Sequence, residues 1–137
     1  MWRPRPSRRD RHSIPRVLQI VFNAISAAEL SQLDTLTQLD VLNEFKVDEA
    51  MLKDLPAQKA FGKIERGGRL LYRYRAKEYR LYFEVREEKV IVHRVLHKNT
   101  LHDFLFRSSL PVNEDEAAAK SKTFWKLIEE GENAARH

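Results

Sequence analysis

The stretch LLYRYRAKEYRLYFEV, residues 70–85, decides the fold because aromatic and charged side chains alternate along it twice. Successive side chains on a β-strand point to opposite faces, so each run predicts a strand with one apolar and one charged face. The short connection at Ala76-Lys77 predicts that the two strands form an antiparallel hairpin. With a two-residue turn at that position, Arg73 lies opposite Arg80.

The predicted hairpin separates the two kinds of side chain. One face is apolar and suited to covering by helices: Leu70, Tyr72, Tyr74, Tyr79, Leu81, Phe83 and Val85. The opposite face is largely basic: Leu71, Arg73, Arg75, Arg80, Tyr82 and Glu84. Like charges that face each other across a sheet destabilise it. The arginines are therefore either solvated or arranged to receive an anion.

A third apolar run at residues 89–97 follows the short connection Glu87-Glu88 and predicts another antiparallel strand. A two-residue turn places His93 opposite Tyr82 and His97 near Glu78, which adds both imidazoles to the basic face and puts Arg94 on the apolar face. A three-residue turn places Arg94 on the basic face in place of His93. Both alternatives remain open from the sequence.

Upstream, residues 16–23 (RVLQIVFN) predict a buried first strand. Ser26 and Glu29 have the spacing of a capping box, which marks a helix start. Six apolar residues then recur at steps of three and are predicted to be core: Leu30, Leu33, Leu36, Leu39, Leu42 and Phe45. One straight helix would rotate this stripe around its axis, so a break is expected near Asp34-Thr35.

The remaining cap and turn residues complete an α+β architecture. Asp48 predicts the cap of a short helix ending before Pro56, Gly67-Gly68 predicts a turn, and residues 98–107 form a short helix or a return segment. Asn113 caps a final helix that stops at Gly131. The element order is β-α-α-β-β-β, which predicts a small, mainly antiparallel sheet with helices on one face and an extra C-terminal helix.

The predicted organisation is a disordered basic tail at 1–15, one domain at 16–107, and a linker with the C-terminal helix at 108–137. The net charge of +5 is concentrated in the tail and in residues 69–98, which hold nine basic and four acidic groups. A basic patch inside a folded element attracts phosphate. The chain has no cysteine, no signal-peptide pattern and no apolar run of membrane-spanning length, so we expect a cytoplasmic protein without membrane contact.

The sequence also limits the chemistry. It contains no Gly-rich phosphate loop, zinc-protease motif or EF-hand pattern, and we expect neither a cofactor nor a metal. His93 and His97 could provide two ligands from one strand face, but no third ligand is obvious.

The basic face suits RNA. Arginine forks bind phosphate and exposed aromatic rings stack on unpaired bases, which predicts a binding set: Arg73, Arg75, Arg80, Tyr82 and His93. Cleaving RNA without a metal requires cations to stabilise the phosphorane and groups that transfer protons. The candidates for these catalytic roles are Arg80, His97, Lys98 and His102.

Residues 16–107 resemble the RelE/ParE superfamily of toxins. The resemblance is carried by the first strand, by the leucine-rich region and by GGRLLYRYRAKEYRLYFEVREEKVIVHRVLHKN, which is similar to the family's hairpin followed by a strand ending in a basic pair, here His97-Lys98. It implies the toxin of a toxin–antitoxin module that represses translation as a metal-independent mRNA endoribonuclease. The implied partners are an antitoxin protein and mRNA or the ribosome.

By position, the resemblance implies that Arg73, Arg75 and Arg80 bind phosphate and stabilise the transition state. The chain departs from RelE-like toxins in having arginines where lysines are common. It also lacks their C-terminal tyrosine, in whose place stand His102, Phe104 or Phe106. The ParE branch inhibits DNA gyrase and cleaves no RNA. The alternative is therefore a ParE-like gyrase inhibitor or a catalytically silent module that binds nucleic acid or a protein partner.

Overall fold

The computed structural model describes residues 17–105 and 113–134, without the side chains of residues 102–105. The predicted tail at 1–15, the predicted loop at 108–111 and the side chain of His102 therefore lie outside the described residues. Within those ranges, no helix has both the length and the apolar character needed to cross a bilayer.

One sheet organises the described chain, and its five strands are β1 (Gln19–Phe22), β2 (Phe61–Arg66), β3 (Arg69–Ala76), β4 (Tyr79–Arg86) and β5 (Lys89–His97). Six α-helices accompany it: α1 (Ala24–Ser31), α2 (Thr35–Glu44), α3 (Glu49–Lys53), α4 (Lys98–Leu105), α5 (Glu114–Lys120) and α6 (Lys122–Ala134). The strand order is β1-β5-β4-β3-β2, with β1 parallel to β5 and every other neighbouring pair antiparallel. The predicted α+β class with a mainly antiparallel sheet is confirmed.

Strand β2 was not predicted, and its side chains explain why. Phe61 packs against the core on one face of the sheet, whereas Ile64 is buried in the core on the other. Because its two large apolar residues point to opposite faces, this edge strand lacks the apolar–polar alternation that would have predicted it. Gly67 and Gly68, with φ of 57° and 81°, form the predicted turn from β2 into β3, where glycine adopts positive φ without steric cost.

The β3–β4 hairpin forms as predicted, but its register differs. The turn is Lys77-Glu78 rather than Ala76-Lys77, and Lys77 takes the left-handed conformation with φ of 56°. Arg75 consequently lies opposite Arg80, whereas Arg73 lies opposite Tyr82. The partner of each residue has moved by two positions, so the side chains predicted to share a face still share it.

A β-bulge decides the open question about the third strand. The turn Glu87-Glu88 has two residues as predicted, yet Phe83 pairs with Val92 and Tyr82 pairs with Arg94. His93 is the extra residue, and an extra residue shifts every later side chain of its strand by one position. Both His93 and Arg94 therefore contact residues of the predicted basic face or of the helix above it, which neither simple turn allowed.

The helical region confirms some predicted boundaries and corrects others. Asp34 and Asp48 cap α2 and α3, each accepting a hydrogen bond from a backbone amide three residues on. Helix α1, however, begins two residues before the predicted cap, because Asn23 is its N-cap and Ser26 closes the capping box.

The predicted leucine core is only half correct. Leu33 and Phe45 are buried, but three leucines of α2 are 70%, 48% and 58% exposed: Leu36, Leu39 and Leu42. Helix α2 instead buries Thr37 and Val41. Steps of three therefore do not follow the buried face of this helix.

Helices cover both faces of the sheet, which corrects the prediction that they lie on one. On the first face, α2 and the residues beside it contribute Val41, Phe45 and Val47 to a core with Leu81 and Phe83. On the second face, a separate core contains Leu71 and Tyr82 with side chains from α4, α5 and α6: Leu101, Ala118, Phe124 and Ile128. The predicted basic face is thus the floor of this second core.

The predicted single C-terminal helix is two helices. Asn113 caps α5 as predicted, its side chain accepting from the amides of Asp115 and Glu116. The chain breaks at Ser121, whose hydroxyl accepts from the amide of Phe124 at the start of α6. Gly131 does not stop α6, because the helix continues to Ala134 and Gly131 is buried against the backbone of His93.

Candidate functional site

The arginines predicted to bind phosphate lie in β3 and β4 on the second face of the sheet. Arg75 is exposed, whereas Arg73 and Arg80 are only 7% and 6% exposed. A buried guanidinium needs a charged or hydrogen-bonding partner, because losing water without one is costly. The groups that pair with Arg73 and Arg80 therefore show which charges the second face of the sheet binds.

Arg73 is held by α5 and by the edge of the sheet. Its Nε and Nη2 donate to the two carboxylate oxygens of Asp115 at 3.2 and 2.8 Å, and its Nη1 donates to the carbonyl of Ala60 at 2.9 Å. Burial alone would lower the pKa of Arg73, but the Asp115 carboxylate raises it. The result is a charged, forked pair of the kind that recognises carboxylate and phosphate.

Arg80 is held in the same way at the hairpin turn. Its Nε donates to Oε1 of Glu114 at 2.8 Å, and its Nη1 donates to the carbonyls of Lys77 and Tyr79. Glu114 and Asp115 are consecutive residues in the first turn of α5. Two neighbouring carboxylates of one helix therefore occupy the two buried arginines.

Tyr82 lies under the C-terminal helices and is fully buried. Its ring contacts that of Phe124 edge to face, with centroids 4.8 Å apart, and its hydroxyl has no hydrogen-bond partner among the described residues. Burial raises the pKa of Tyr82, with Glu114 and Asp115 adding to the effect. A nucleic-acid base could stack on Tyr82 only after α6 moved.

His93 is buried at the bulge, where its Nε2 lies 3.3 Å from Oε1 of Glu84 without hydrogen-bond geometry. Arg69 and Arg86 each pair with Glu84 and with Glu132 of α6 at 2.7–3.2 Å. Burial would raise the pKa of Glu84, but His93 and the two arginines lower it to about 2. This network of charges connects α6 to the sheet.

The same network contains the sole cluster with metal-ligand spacing in the described part of the chain. Ligand atoms of Glu84, His93 and Glu132 lie within 4.8 Å of one another. Both carboxylates already pair with Arg69 and Arg86, whose positive charges balance theirs. A divalent cation would have to displace guanidinium groups from its ligands, so the donor set does not favour one.

His97 and Lys98 meet at the end of β5, beside the β3–β4 turn. His97 Nε2 lies 3.3 Å from Oε2 of Glu78, and Lys98 Nζ lies 3.5 Å from Oε1. The predicted proximity of His97 to Glu78 is confirmed, but the bulge pairs His97 with Tyr79, whose ring centroid lies 4.9 Å away, so His97 shares the apolar face of the sheet rather than the predicted basic face. The backbone N–H of Asn99 donates to His97 Nδ1 at 3.0 Å, so a neutral His97 carries its proton on Nε2.

Glu78 is the functional candidate that sequence reasoning did not single out. Hydrogen bonding from His97, together with Lys98, lowers the pKa of the Glu78 carboxyl. Its signal in the sequence was its place in a turn between two basic strands. Glu114 and Asp115 were likewise interpreted only as favourable charges at a helix start, although an acidic first turn near an arginine cluster could have suggested an ion pair.

The structure thus groups the predicted residues into three places. Arg73 and Arg80 lie beneath α5, His97 and Lys98 lie with Glu78 at the sheet end, and Tyr82 and His93 are inside the second core. Arg80 bonds to the same hairpin turn that contains Glu78 and so links the first two groups. The side chain of His102 lies outside the described residues.

No family model, curated protein or solved structure matches this chain.

Proposed function

We propose that this chain is a RelE-like toxin of a toxin–antitoxin module that represses translation by cleaving mRNA, on the ribosome or free. The observation that carries the proposal is the pair of guanidinium groups, Arg73 and Arg80, the first fixed by one backbone carbonyl and the second by two, and each holding a carboxylate. The two guanidinium groups that now hold carboxylates suit consecutive phosphates of a single RNA strand equally well. The cognate antitoxin would be the protein partner.

The proposed chemistry needs no metal. The ribose 2′-oxygen attacks the adjacent phosphorus, the bond to the 5′-oxygen breaks, and a cyclic phosphate and a free 5′-hydroxyl result. Arg75 and Arg80 stabilise the extra negative charge of the phosphorane. Glu78, which faces Nε2 of His97, accepts the proton of the attacking 2′-hydroxyl, and His97 enters the step as the imidazolium and gives its Nε2 proton to the departing 5′-oxygen.

Lys98 contributes positive charge at the same rim, 3.5 Å from Glu78. In this proposal Arg73 and Arg80 bind the phosphate backbone, and Arg75 is the exposed arginine that RNA meets first. Tyr82 and His93 are buried, so they support the site from within the core unless the helices above them move.

A second candidate function is favoured by the covering of this face. Because α5 and α6 lie on it, a protein that never opens would bind a partner without cutting RNA, as a ParE-like gyrase inhibitor or a silent binding module would. The two functions differ in which macromolecule is damaged when the protein is expressed.

The deciding experiment is cell-free translation with primer extension on the message, using the full chain and its Arg75→Gln and His97→Gln variants. The proposal expects cleavage by wild type and a roughly 100-fold loss in His97→Gln, the usual worth of a general acid. Arg66→Gln is the matched control, since Arg66 is exposed at the far end of β2. Intact messages and uninhibited synthesis at high protein excess would contradict it. Inhibited gyrase with intact messages would support the second candidate.

A further inference from the structure

The acidic first turn of α5 stands where the proposed function places phosphate. Asp115 and Glu114 are 19% and 15% exposed in their side chains, and their carboxylates face Arg73 and Arg80. Each arginine has one negatively charged partner in the described residues, and α5 supplies both. An incoming phosphate and this helix therefore compete for the same donors.

The edge strand β2 leaves room for this contact. Gly62 is directly opposite Arg73 in the sheet. A Cβ atom at position 62 would overlap the guanidinium of Arg73 and the carboxylate of Asp115. The pair thus lies over a position where no side chain projects from the sheet.

Helix α5 buries less apolar side chain than α6. The fully or nearly buried apolar side chains of α5 are two methyl groups, Ala117 and Ala118. Helix α6 buries Phe124 and Ile128 completely, and its Gly131 carbonyl accepts from the Asn23 side chain at 2.8 Å. Because burial free energy scales with apolar area, α6 is the anchored helix and α5 the one that can leave.

The break at Ser121 lets the two helices separate once the 2.8 Å hydrogen bond from Trp125 Nε1 to the carbonyl of Ala119 is lost. Ser121 caps α6, so α6 keeps its own start when the residues before it detach. With seven residues, α5 is too short to persist as a helix in water. Detachment of α5 is therefore also its unfolding.

We propose that α5 is an autoinhibitory segment, which RNA displaces from Arg73 and Arg80 while α6 stays on the sheet. This inference rests on the proposed function, since it names the regulation of the same site. RNA phosphates replace the carboxylates of α5, so each buried guanidinium still has a negatively charged partner after the exchange. Removing one member of a buried pair with no replacement is the costly event, and the exchange avoids it.

The first test measures binding of a fluorescein-labelled, single-stranded 12-nucleotide RNA to the full chain by anisotropy. In Glu114→Gln/Asp115→Asn, the competitor loses its charge but keeps its shape, and we expect roughly 10-fold tighter binding or more. The control Glu116→Gln/Glu129→Gln makes the same change in net charge at exposed positions of α5 and α6. Equal gains in both variants, or no gain in either, would overturn the proposal.

The second test uses the unmodified chain and so does not depend on how the variants fold. Hydrogen exchange is followed with and without the same RNA. Amides of α5 should lose protection on binding, whereas those of α6 after Phe124 should keep it. An α5 that stays protected at saturating RNA would rule the mechanism out.

The two proposals fail differently. Tighter RNA binding by Glu114→Gln/Asp115→Asn with no message cleavage would overturn the ribonuclease function and leave autoinhibition standing. Cleavage at equal rates by wild type and by this variant would overturn autoinhibition and leave the ribonuclease function standing.

Discussion

Neutralising Glu84 is expected to destabilise the fold by an amount that depends on pH. The carboxyl is 8% exposed, and Arg69 and Arg86 lie 3.0 and 2.7 Å from it. Its pKa falls from the ordinary 4.5 to about 2 in the folded chain, and each pKa unit is worth about 1.4 kcal/mol, so the charge contributes about 3 kcal/mol. Because the folded pKa is the lower one, this contribution is complete above pH 4.5 and disappears as the pH falls through about 2.

Urea unfolding of wild type and Glu84→Gln, followed by circular dichroism from neutral pH downward, measures this contribution. The difference in unfolding free energy should be about 3 kcal/mol at pH 7 and below about 1 kcal/mol near pH 2.5. Glu65→Gln is the control, since Glu65 is exposed and pairs with exposed Lys63, and it should change stability by less than about 0.5 kcal/mol throughout. A gap that stays constant with pH would show that Glu84 acts through packing rather than charge.

Three further predictions concern the fold. Gly131→Ala should destabilise the protein by about 2 kcal/mol or more in urea unfolding, because the new Cβ would overlap the backbone of β5. In an unconstrained helix the same change stabilises by about 1 kcal/mol. Glu130→Ala is the exposed control, and a stabilised Gly131→Ala would contradict the observed packing. Leu36→Ala should cost less than about 0.5 kcal/mol and Leu33→Ala about 2–5 kcal/mol, and equal losses would restore the predicted leucine core. Glu87→Asn should stabilise the fold by about 0.5–1 kcal/mol and raise Tm, because Glu87 has φ of 50° and asparagine tolerates that backbone conformation better. A lowered Tm would show that the glutamate side chain contributes more than the backbone strain.

The faces of the central hairpin were predictable although its register was not. Two-residue periodicity assigns each side chain to a face, and the observed shift of two positions leaves that assignment intact. The turn itself was ambiguous because Ala76, Lys77 and Glu78 include no glycine or asparagine that would favour one pair of turn residues.

Helix boundaries were predictable where one side chain caps a free amide. Asp48 and Asn113 cap as predicted, and Asp34 caps a helix at the predicted break, since capping depends on residues within one turn. Burial within a helix depends on what packs against it, and for that reason Leu36 was wrongly predicted to be core while Thr37 is buried.

The candidate site divides in the same way. Local pattern alone determined that Arg73, Arg75 and Arg80 share a face, whereas it left the face of His97 open. Only the tertiary structure decided that this face is covered, because the carboxylates that neutralise Arg73 and Arg80 come from residues 34 to 42 positions away. The bulge at His93 was also decided by pairing between strands, since it exists only in the register between β4 and β5. Periodicity in the sequence predicts which face of the sheet a side chain lies on. The residue it pairs with depends on elements that meet only when the chain folds.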